Sequence, residues 1–456
     1  MDKKRIVILG AGESGVGAAL LAKAKGMDPF VSDSNKIDPK YKNILFENSI
    51  SHEEGMHTEK LLLTADEVIK SPGIPDNIPI LEKIKSKKIP VISEIEFAFR
   101  FTKAKIIAIT GTNGKTTTSL LTYYLLNQAG LNVCLAGNIG FGFSKEVIED
   151  KYDYFVLEVS SFQLDYIQNF KADIGVLLNI TPDHLDRYNE DFNAYINSKF
   201  RILNNMTEND IFIYFKEDDV IHNYLEHNTI RPLKLGIALH EVPETNAMMN
   251  GKYLKFNLAS SSTPEFKVSM QSMSLTGRHN MVNSMASVMI AKILGLSDRK
   301  IKAGLKSFKN VPHRLEKVGE IDEIFFINDS KATNLDATIK ALDSYTKPII
   351  WIAGGVDKGN DYEILLSQVQ EKVKGIVCLG ADNHKIIETF KDYVNDISET
   401  NDVRKAVITA FNLASPGDVI LLSPACASFD LFKNYADRGD KFRKAVEQLI
   451  NRKVKV

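Results

Sequence analysis

The chain has 456 residues, 44% of them apolar and 25% charged, with 57 basic against 58 acidic side chains and a net charge of −1. A chain this long needs several cores, about three by domain-size statistics. The balanced charge excludes a partner recruited by bulk electrostatics, such as nucleic acid or an anionic membrane.

Three scattered cysteines, Cys134, Cys378 and Cys426, contain no Cys-x-x-Cys pair. That argues against a disulfide framework or a cysteine zinc site and suits a reducing compartment. No run of about 18 apolar residues offers a membrane span, so a soluble, cytoplasmic protein without membrane insertion is expected.

The first predicted strand covers 5–9 and runs into Gly10-Ala11-Gly12-Glu13-Ser14-Gly15, with a helix to about 25 and a second strand over 29–32 ending at Asp33. A G-x-G-x-x-G between strand and helix, with an acid about 20 residues on, is a dinucleotide fingerprint. A tight βα turn that binds nothing has the same pattern, and a nicotinamide-dependent oxidoreductase would also explain this segment taken alone. The apolar pair Val68-Ile69 leads into Ser71-Pro72-Gly73, a turn that can face the same ligand. This segment ends near 93.

The next segment carries the strongest signal. Residues 106–110 form an apolar strand that enters Gly111-Thr112-Asn113-Gly114-Lys115-Thr116-Thr117-Thr118, with a helix to about 129. Backbone N–H groups of the turn face phosphates, Lys115 reaches their outer oxygens, and the Thr116 hydroxyl can ligate Mg²⁺. Three consecutive threonines are poor helix formers unless their hydroxyls are used, so the turn reads as an ATP or GTP site. Further strands are predicted over 155–159 and 174–179. Alternating strands and helices imply a parallel sheet, whose ligands gather at the strands' carboxyl ends. Asn138 in Gly137-Asn138-Ile139-Gly140, Glu158, and Asp183-His184 fall at that edge. Glu158 sits in a run that reads as buried strand, so it needs Mg²⁺ or a structural ion pair beside it. His184 is lifted above an ordinary polar residue only by its place at the strand end.

Residues 210–276 change character, with short strands at 211–215 and 266–270 between polar turns, and read as an insertion or β-rich flank. The stretch Leu275-Thr276-Gly277-Arg278-His279-Asn280-Met281-Val282-Asn283 then enters an apolar helix. Asn280 and Asn283 share one face of it, where they either cap the helix end or hydrogen-bond a nucleotide base. The last segment, from about 311, shows short strands at 324–328, 349–353, 376–379 and 419–422 and reads as another doubly wound unit. Its polar loops follow strands: Asn328-Asp329-Ser330-Lys331-Ala332-Thr333-Asn334, Gly354-Gly355-Val356-Asp357-Lys358-Gly359 and Ser423-Pro424-Ala425-Cys426-Ala427-Ser428. Two lysines with several hydroxyls at one sheet edge suit a small polyanion.

Taken together, 111–117, 157–164, 179–184, 312–314, 328–334 and 423–428 resemble the Mur ligase family, and within it the members that add D-glutamate to UDP-N-acetylmuramoyl-L-alanine. The matches run in order from Gly10 to Tyr435. The resemblance implies an α/β fold of three domains. A Rossmann-like domain over 1–93 would take the UDP-sugar. A central ATPase-type parallel sheet with a β-rich flank would occupy 94–309, and a Rossmann-like amino-acid-binding domain 310–456. It also implies an ATP-dependent amide-forming ligase of peptidoglycan precursor synthesis, hence of cell-wall biogenesis, acting as a monomer with Mg²⁺, as two ions.

Residue by residue, Ser14, Asp33, Ser34 and Gly73 match uridine-diphosphate contacts, and Asn138 a substrate contact beside the ATP site. Gly111, Thr112, Asn113, Gly114, Lys115, Thr116 and Thr117 match the phosphate loop, and Asn280, Asn283, Arg314 and Asp329 nucleotide contacts. Thr116, Glu158 and His184 match Mg²⁺ ligation. Lys199 in Tyr195-Ile196-Asn197-Ser198-Lys199 falls where the family carries a carbamylated lysine; on its residues alone it reads as a helix-surface lysine. Lys331, Thr333, Lys358, Ser428 and Tyr435 match the D-glutamate pocket. Catalysis would rest on Lys115, Glu158, His184 and Lys199. Glu13 departs from the pattern by putting a negative charge in the glycine turn.

Overall fold

The computed structural model describes residues 3–140, 142–257, 266–309, 312–357 and 359–453. The chain packs as two compact units, one of 1–273 with 280–308 and one of 274–279 with 309–456.

The first unit holds two sheets. In the first, β1 (Arg5–Leu9), β2 (Asp28–Asp33), β3 (Ser51–Glu54), β4 (Glu67–Lys70) and β5 (Val91–Ser93) pair in parallel in the order β3-β2-β1-β4-β5. Period-two alternation puts Ile6 and Ile8 of β1 in one core and Val7 and Leu9 in another, so helices cover both faces. The chain leaves β1 for β2 on one side and later returns to β4 on the other. The switch point is therefore at the carboxyl end of β1, where the glycine turn stands.

The second sheet contains β6 (Lys105–Thr110), β7 (Val133–Gly137), β8 (Tyr154–Glu158), β9 (Ile174–Leu177), β10 (Ile211–Phe215), β11 (Leu233–Ala238), β12 (Ala247–Asn250), β13 (Tyr253–Phe256) and β14 (Phe266–Ser269). Its order is β14-β13-β12-β11-β10-β9-β6-β8-β7, parallel from β7 to β12 and antiparallel only at β13 and β14. This refines the reading of 210–276: β10 and β11 continue the parallel sheet, and only the last strands form a flank. Ile106, Ala108 and Phe155 share a core with Ile6, Ile8 and Val31, which joins this sheet to the first.

The second unit has one sheet, ordered β15-β16-β20-β17-β18-β19, from β15 (Glu316–Ile321), β16 (Ile324–Asn328), β17 (Ile349–Ala353), β18 (Val373–Leu379), β19 (Asp396–Thr400) and β20 (Val419–Leu422). Only the edge strand β15 is antiparallel. Trp351 packs in the core on one face, and Ile350 and Ile352 in the core on the other. All three sheets are the doubly wound α/β type expected. Among the described residues no helix is long and apolar enough to cross a membrane.

Candidate functional site

The turn after β6 is fixed in shape by two glycines and by hydrogen bonds from its neighbours. Gly111 and Gly114 take positive φ, +149° and +85°, and Gly114 caps the Lys115–Gln128 helix. A Cβ on Gly114 would stand 2.4 Å from Asn283 Oδ1, so only glycine fits there. Asn179, just past β9, clamps the turn: its Oδ1 accepts from Asn113 N–H at 2.8 Å and its amide donates to Asn113 O at 3.0 Å. The Thr112 hydroxyl meets Thr181 O and the Tyr195 hydroxyl, each at 3.1 Å. Lys115 Nζ donates to Gly111 O at 2.7 Å and Thr112 O at 2.8 Å, which holds the ammonium over the turn. Thr116 and Thr117 are buried at the helix start. Asn280 and Asn283 are buried in the first turns of the Arg278–Ile293 helix, linked by a 3.1 Å hydrogen bond. Asn283 reaches the glycine turn directly, so more than helix capping is involved.

Glu158 ends β8 in register with Ile109 and Gly137. It is 1% exposed; Oε1 accepts from the Asn138 side chain at 2.8 Å, while Oε2 is buried without a hydrogen-bond partner. A buried carboxylate oxygen left open, next to the strand that feeds a phosphate turn, fits a hard cation. The side-chain partner of Glu158 is the neutral amide of Asn138, not a cation. Among the described residues no three His, Cys, Asp or Glu side chains gather in one cluster. His184 is half exposed in a left-handed turn (φ +55°), with Nε2 3.7 Å from Asp183 and its ring edge-on to Phe162 at 5.2 Å.

Lys199 is not the surface lysine that its residues alone suggest. It is 1% exposed, on the Phe192–Phe200 helix, with Nζ 3.0 Å from Gly111 O and 4.7 Å from the centre of the Tyr195 ring. Burial, reinforced by the charge of Lys115, pushes its amine well below the ordinary lysine range. The turn carbonyl of Gly111 thus receives both lysines.

At the switch point of the first sheet lies a cavity of about 790 Å³. Ser14, Asp33, Ser34 and Gly73 all line it, with Gly10, Gly12 and His57. A Cβ on Gly15 would meet Gly10 O at 1.9 Å, so the turn and the Glu13–Ala24 helix approach as closely as they do only without a side chain there. Asp33 braces this turn: its oxygens accept from Ala11 N–H and Asn35 N–H, both at 2.8 Å. Glu13 also faces the cavity. The Ser71–Ile74 side is tied to the central sheet by Arg187, which donates to Ile74 O at 2.9 Å. Asn138 stands apart, beside Glu158.

In the second unit, Lys331, Thr333, Ser428 and Tyr435 lie on loops at the carboxyl edge of its sheet or at the start of the Tyr435–Lys453 helix. Lys331 Nζ sits 5.3 Å from the centre of the Tyr435 ring, Thr333 N–H donates to Lys331 O at 2.9 Å, and Ser428 is buried. Lys358 lies outside the described residues. Asp329 accepts from Leu315 N–H at 3.2 Å and from the Ser423 hydroxyl at 3.3 Å. Burial pushes its carboxyl up to about 7, against the opposing pull of Arg314. Sequence reasoning missed the residue that ties these loops together. Arg438 is 1% exposed and donates to Ser330 Oγ (3.0 Å), Ser330 O (2.9 Å), Cys426 O (3.2 Å) and Gly354 O (3.4 Å).

Three domain families match the chain: "Mur ligase MurD-like, N-terminal domain" over 4–93, "Mur ligase middle domain" over 109–291 and "Mur ligase, glutamate ligase domain" over 313–426. The chain belongs to the Mur ligase family. It is 48% identical over 446 residues to a UDP-N-acetylmuramoylalanine–D-glutamate ligase of Christiangramia forsetii, covering 98% of this chain and all of that one. The same identity and coverage hold over 450 residues against the ligase of that name from Bacteroides fragilis. Solved Mur ligases share the fold. The UDP-N-acetylmuramate-alanine ligase MurC of Thermotoga maritima aligns with a TM-score of 0.60 at 17% identity over 97% of this chain and 99% of that one. The MurF ligase of the same organism, solved with ADP, aligns at 0.62 and 16% over 93% and 95%.

Proposed function

We propose that this Mur ligase is the ATP-dependent enzyme that joins D-glutamate to UDP-N-acetylmuramoyl-L-alanine in peptidoglycan precursor synthesis, as a cytoplasmic monomer. The observation that carries the reading is the 48% identity, sustained from end to end, to relatives bearing that activity in their names. The geometry supports the chemistry. Residues 1–93 hold the UDP-sugar in the switch-point cavity through Ser14, Asp33, Ser34 and Gly73. Residues 94–309 hold ATP on the 111–117 turn with Asn280 and Asn283, and 310–456 hold D-glutamate with Lys331, Thr333, Lys358, Ser428 and Tyr435. Arg314 and Asp329 complete the nucleotide contacts.

A carboxylate cannot expel oxide, so the alanyl carboxylate first attacks the γ-phosphorus of ATP, releasing ADP and leaving an acyl phosphate. That transfer is catalysed by positioning and charge neutralisation, and Lys115 supplies a cation at the turn. The glutamate amine, having lost a proton, then attacks the acyl carbon and phosphate leaves. Lys331 and Lys358 act as point charges for the two glutamate carboxylates, and Thr333 and Ser428 as hydroxyl donors.

Thr116, Glu158, His184 and Lys199 would hold two Mg²⁺ ions, which offset phosphate charge when bound. For Lys199 this requires its neutral amine to add CO₂, losing a proton and becoming an anionic carbamate. Burial of the amine against Gly111 O supports that form. The test is phosphate release with UDP-N-acetylmuramoyl-L-alanine across a panel of amino acids. Stimulation by D-glutamate alone is expected; stimulation by L-alanine or a diamino acid instead would overturn the assignment.

A further inference from the structure

Beside the glycine turn, three side chains form a relay that no step above uses. Ser32, fully buried on β2, has its hydroxyl 2.6 Å from Glu53 Oε1 and 2.7 Å from His57 Nδ1. Glu53 also accepts from Thr58 N–H at 2.9 Å. Burial pushes the Glu53 carboxyl up, but hydrogen bonds from Ser32 and Thr58 and the neighbouring His57 outweigh it and hold the group below the ordinary carboxylate range. Glu53 is therefore ionised near neutrality and only accepts. Because Glu53 cannot donate, the 2.6 Å contact requires the single Ser32 proton to point at Glu53 rather than at His57 or at Met56 O, 3.5 Å away. Ser32 Oγ then has only lone pairs for the imidazole, so His57 Nδ1 carries the ring proton. In the neutral ring this leaves Nε2 as an acceptor. Nδ1 is bound inward to a buried hydroxyl, and His57 lines the cavity, so Nε2, across the ring, is the atom on the cavity side.

The ends of the cavity differ. The N-terminus of the Glu13–Ala24 helix, with Gly10, Gly12 and Ser14, suits the diphosphate. On the β4 side, Arg187 fastens the 72–74 turn to the central sheet, so the sugar and its alanyl carboxylate, which must reach Lys115, leave by that side. The base is left the opposite end, where β2 and β3 finish and His57 stands. Resting on the UDP-sugar reading above, we propose that His57 is a specificity-determining residue that accepts a hydrogen bond from the imide N3–H of uracil, with Ser32 and Glu53 fixing its tautomer. Cytosine presents an acceptor at N3 and would set two lone pairs against each other, so the relay selects a uridine diphosphate over its cytidine counterpart.

Binding of UDP and of CDP to the full-length chain, measured by calorimetry, tests this. The wild type should favour UDP by at least about tenfold. His57→Ala should weaken UDP binding about 3- to 10-fold, the loss expected for one neutral hydrogen bond, and cut the preference over CDP to about twofold or less. An undiminished preference in a folded His57→Ala protein overturns the assignment of His57 and leaves the substrate reading intact. Failure of UDP to bind the wild type overturns the substrate reading itself, and this inference with it. If the variant does not fold, UDP methylated at N3 provides the same test on the wild type. At least about tenfold weaker binding than UDP is expected, and equal binding overturns the proposal.

Discussion

Arg438→Met is the substitution whose cost can be worked most directly from the contacts. The guanidinium bridges three loops, meeting the carbonyls of Ser330, Gly354 and Cys426 and the hydroxyl of Ser330, in a site 1% exposed. Methionine fills similar volume but leaves three buried carbonyls without this donor, each worth about 1–3 kcal/mol if no water replaces it. Against that stands relief of the guanidinium's own desolvation, which already pushes its pKa down to about 10. A net loss of about 3 kcal/mol is expected, which for a unit of this size lowers the Tm by about 6–12 °C. Arg438→Lys keeps the charge but not the planar fork, so it should recover only part of the loss. The loops it braces carry Lys331 and Ser428, so the KM for D-glutamate should rise while that for the UDP-sugar stays near its wild-type value. Differential scanning fluorimetry and steady-state kinetics check both effects. An Arg438→Met protein that melts within about 2 °C of the wild type, with an unchanged KM for D-glutamate, would refute the reasoning.

Four further outcomes are expected. Lys115→Ala should lower turnover at least about 1000-fold with the fold intact, and near-normal turnover would remove the phosphate-turn reading. Gly114→Ala adds left-handed strain of about 1–2 kcal/mol and drives a methyl at Asn283; ATP affinity should fall at least about tenfold. Gly251→Ala, with φ +57° and open space around its Cβ, carries only the strain and should leave ATP affinity unchanged. Lys358→Ala should raise the KM for D-glutamate roughly 10- to 150-fold, the value of one charge-assisted contact; equal effects on both substrates would assign the lysine to ATP or the chemistry.

What was legible in the sequence was local. The strand, glycine turn and hydroxyl-rich helix of 106–118 announce themselves because turn chemistry and strand pattern lie within a dozen residues, and the structure builds them as read. The turn after β1 and the loops after β16 and β20 likewise follow their strands, as the strand pattern predicts. Long-range packing was not legible. Lys199 meets Gly111 across 88 residues, and nothing near it in sequence marks it as buried. Arg438 stands among charged residues in Asp437-Arg438-Gly439-Asp440-Lys441, yet it is the buried hub of three loops. His57 follows an ordinary Gly55-Met56 turn, and its meaning depends on Ser32 and Glu53 from two other strands. β10 and β11 looked like an insertion because polar turns surround them, while pairing with β9 makes them part of the parallel sheet.

The two lysines on one carbonyl pose an electrostatic problem that bears on mechanism. Lys115 Nζ and Lys199 Nζ lie 2.7 and 3.0 Å from Gly111 O, so the two nitrogens are at most about 6 Å apart, and two ammonium charges there repel by about 3 kcal/mol at an effective dielectric of 20. Burial acts in the same direction on Lys199, which is buried where Lys115 is only partly so. Of the two, Lys199 therefore holds its proton less tightly, beside a lysine whose charge would stabilise an anionic product. If that product is the carbamate, Lys199→Ala should lose activity severely, and formate or acetate should restore part of it by supplying the missing oxygens. Lys199→Arg, which keeps a cation and cannot form the carbamate, should be as inactive as alanine. Full activity of either variant without an added carboxylate would refute the carbamate, and a Lys199→Arg protein more active than Lys199→Ala would show that the position works as a cation.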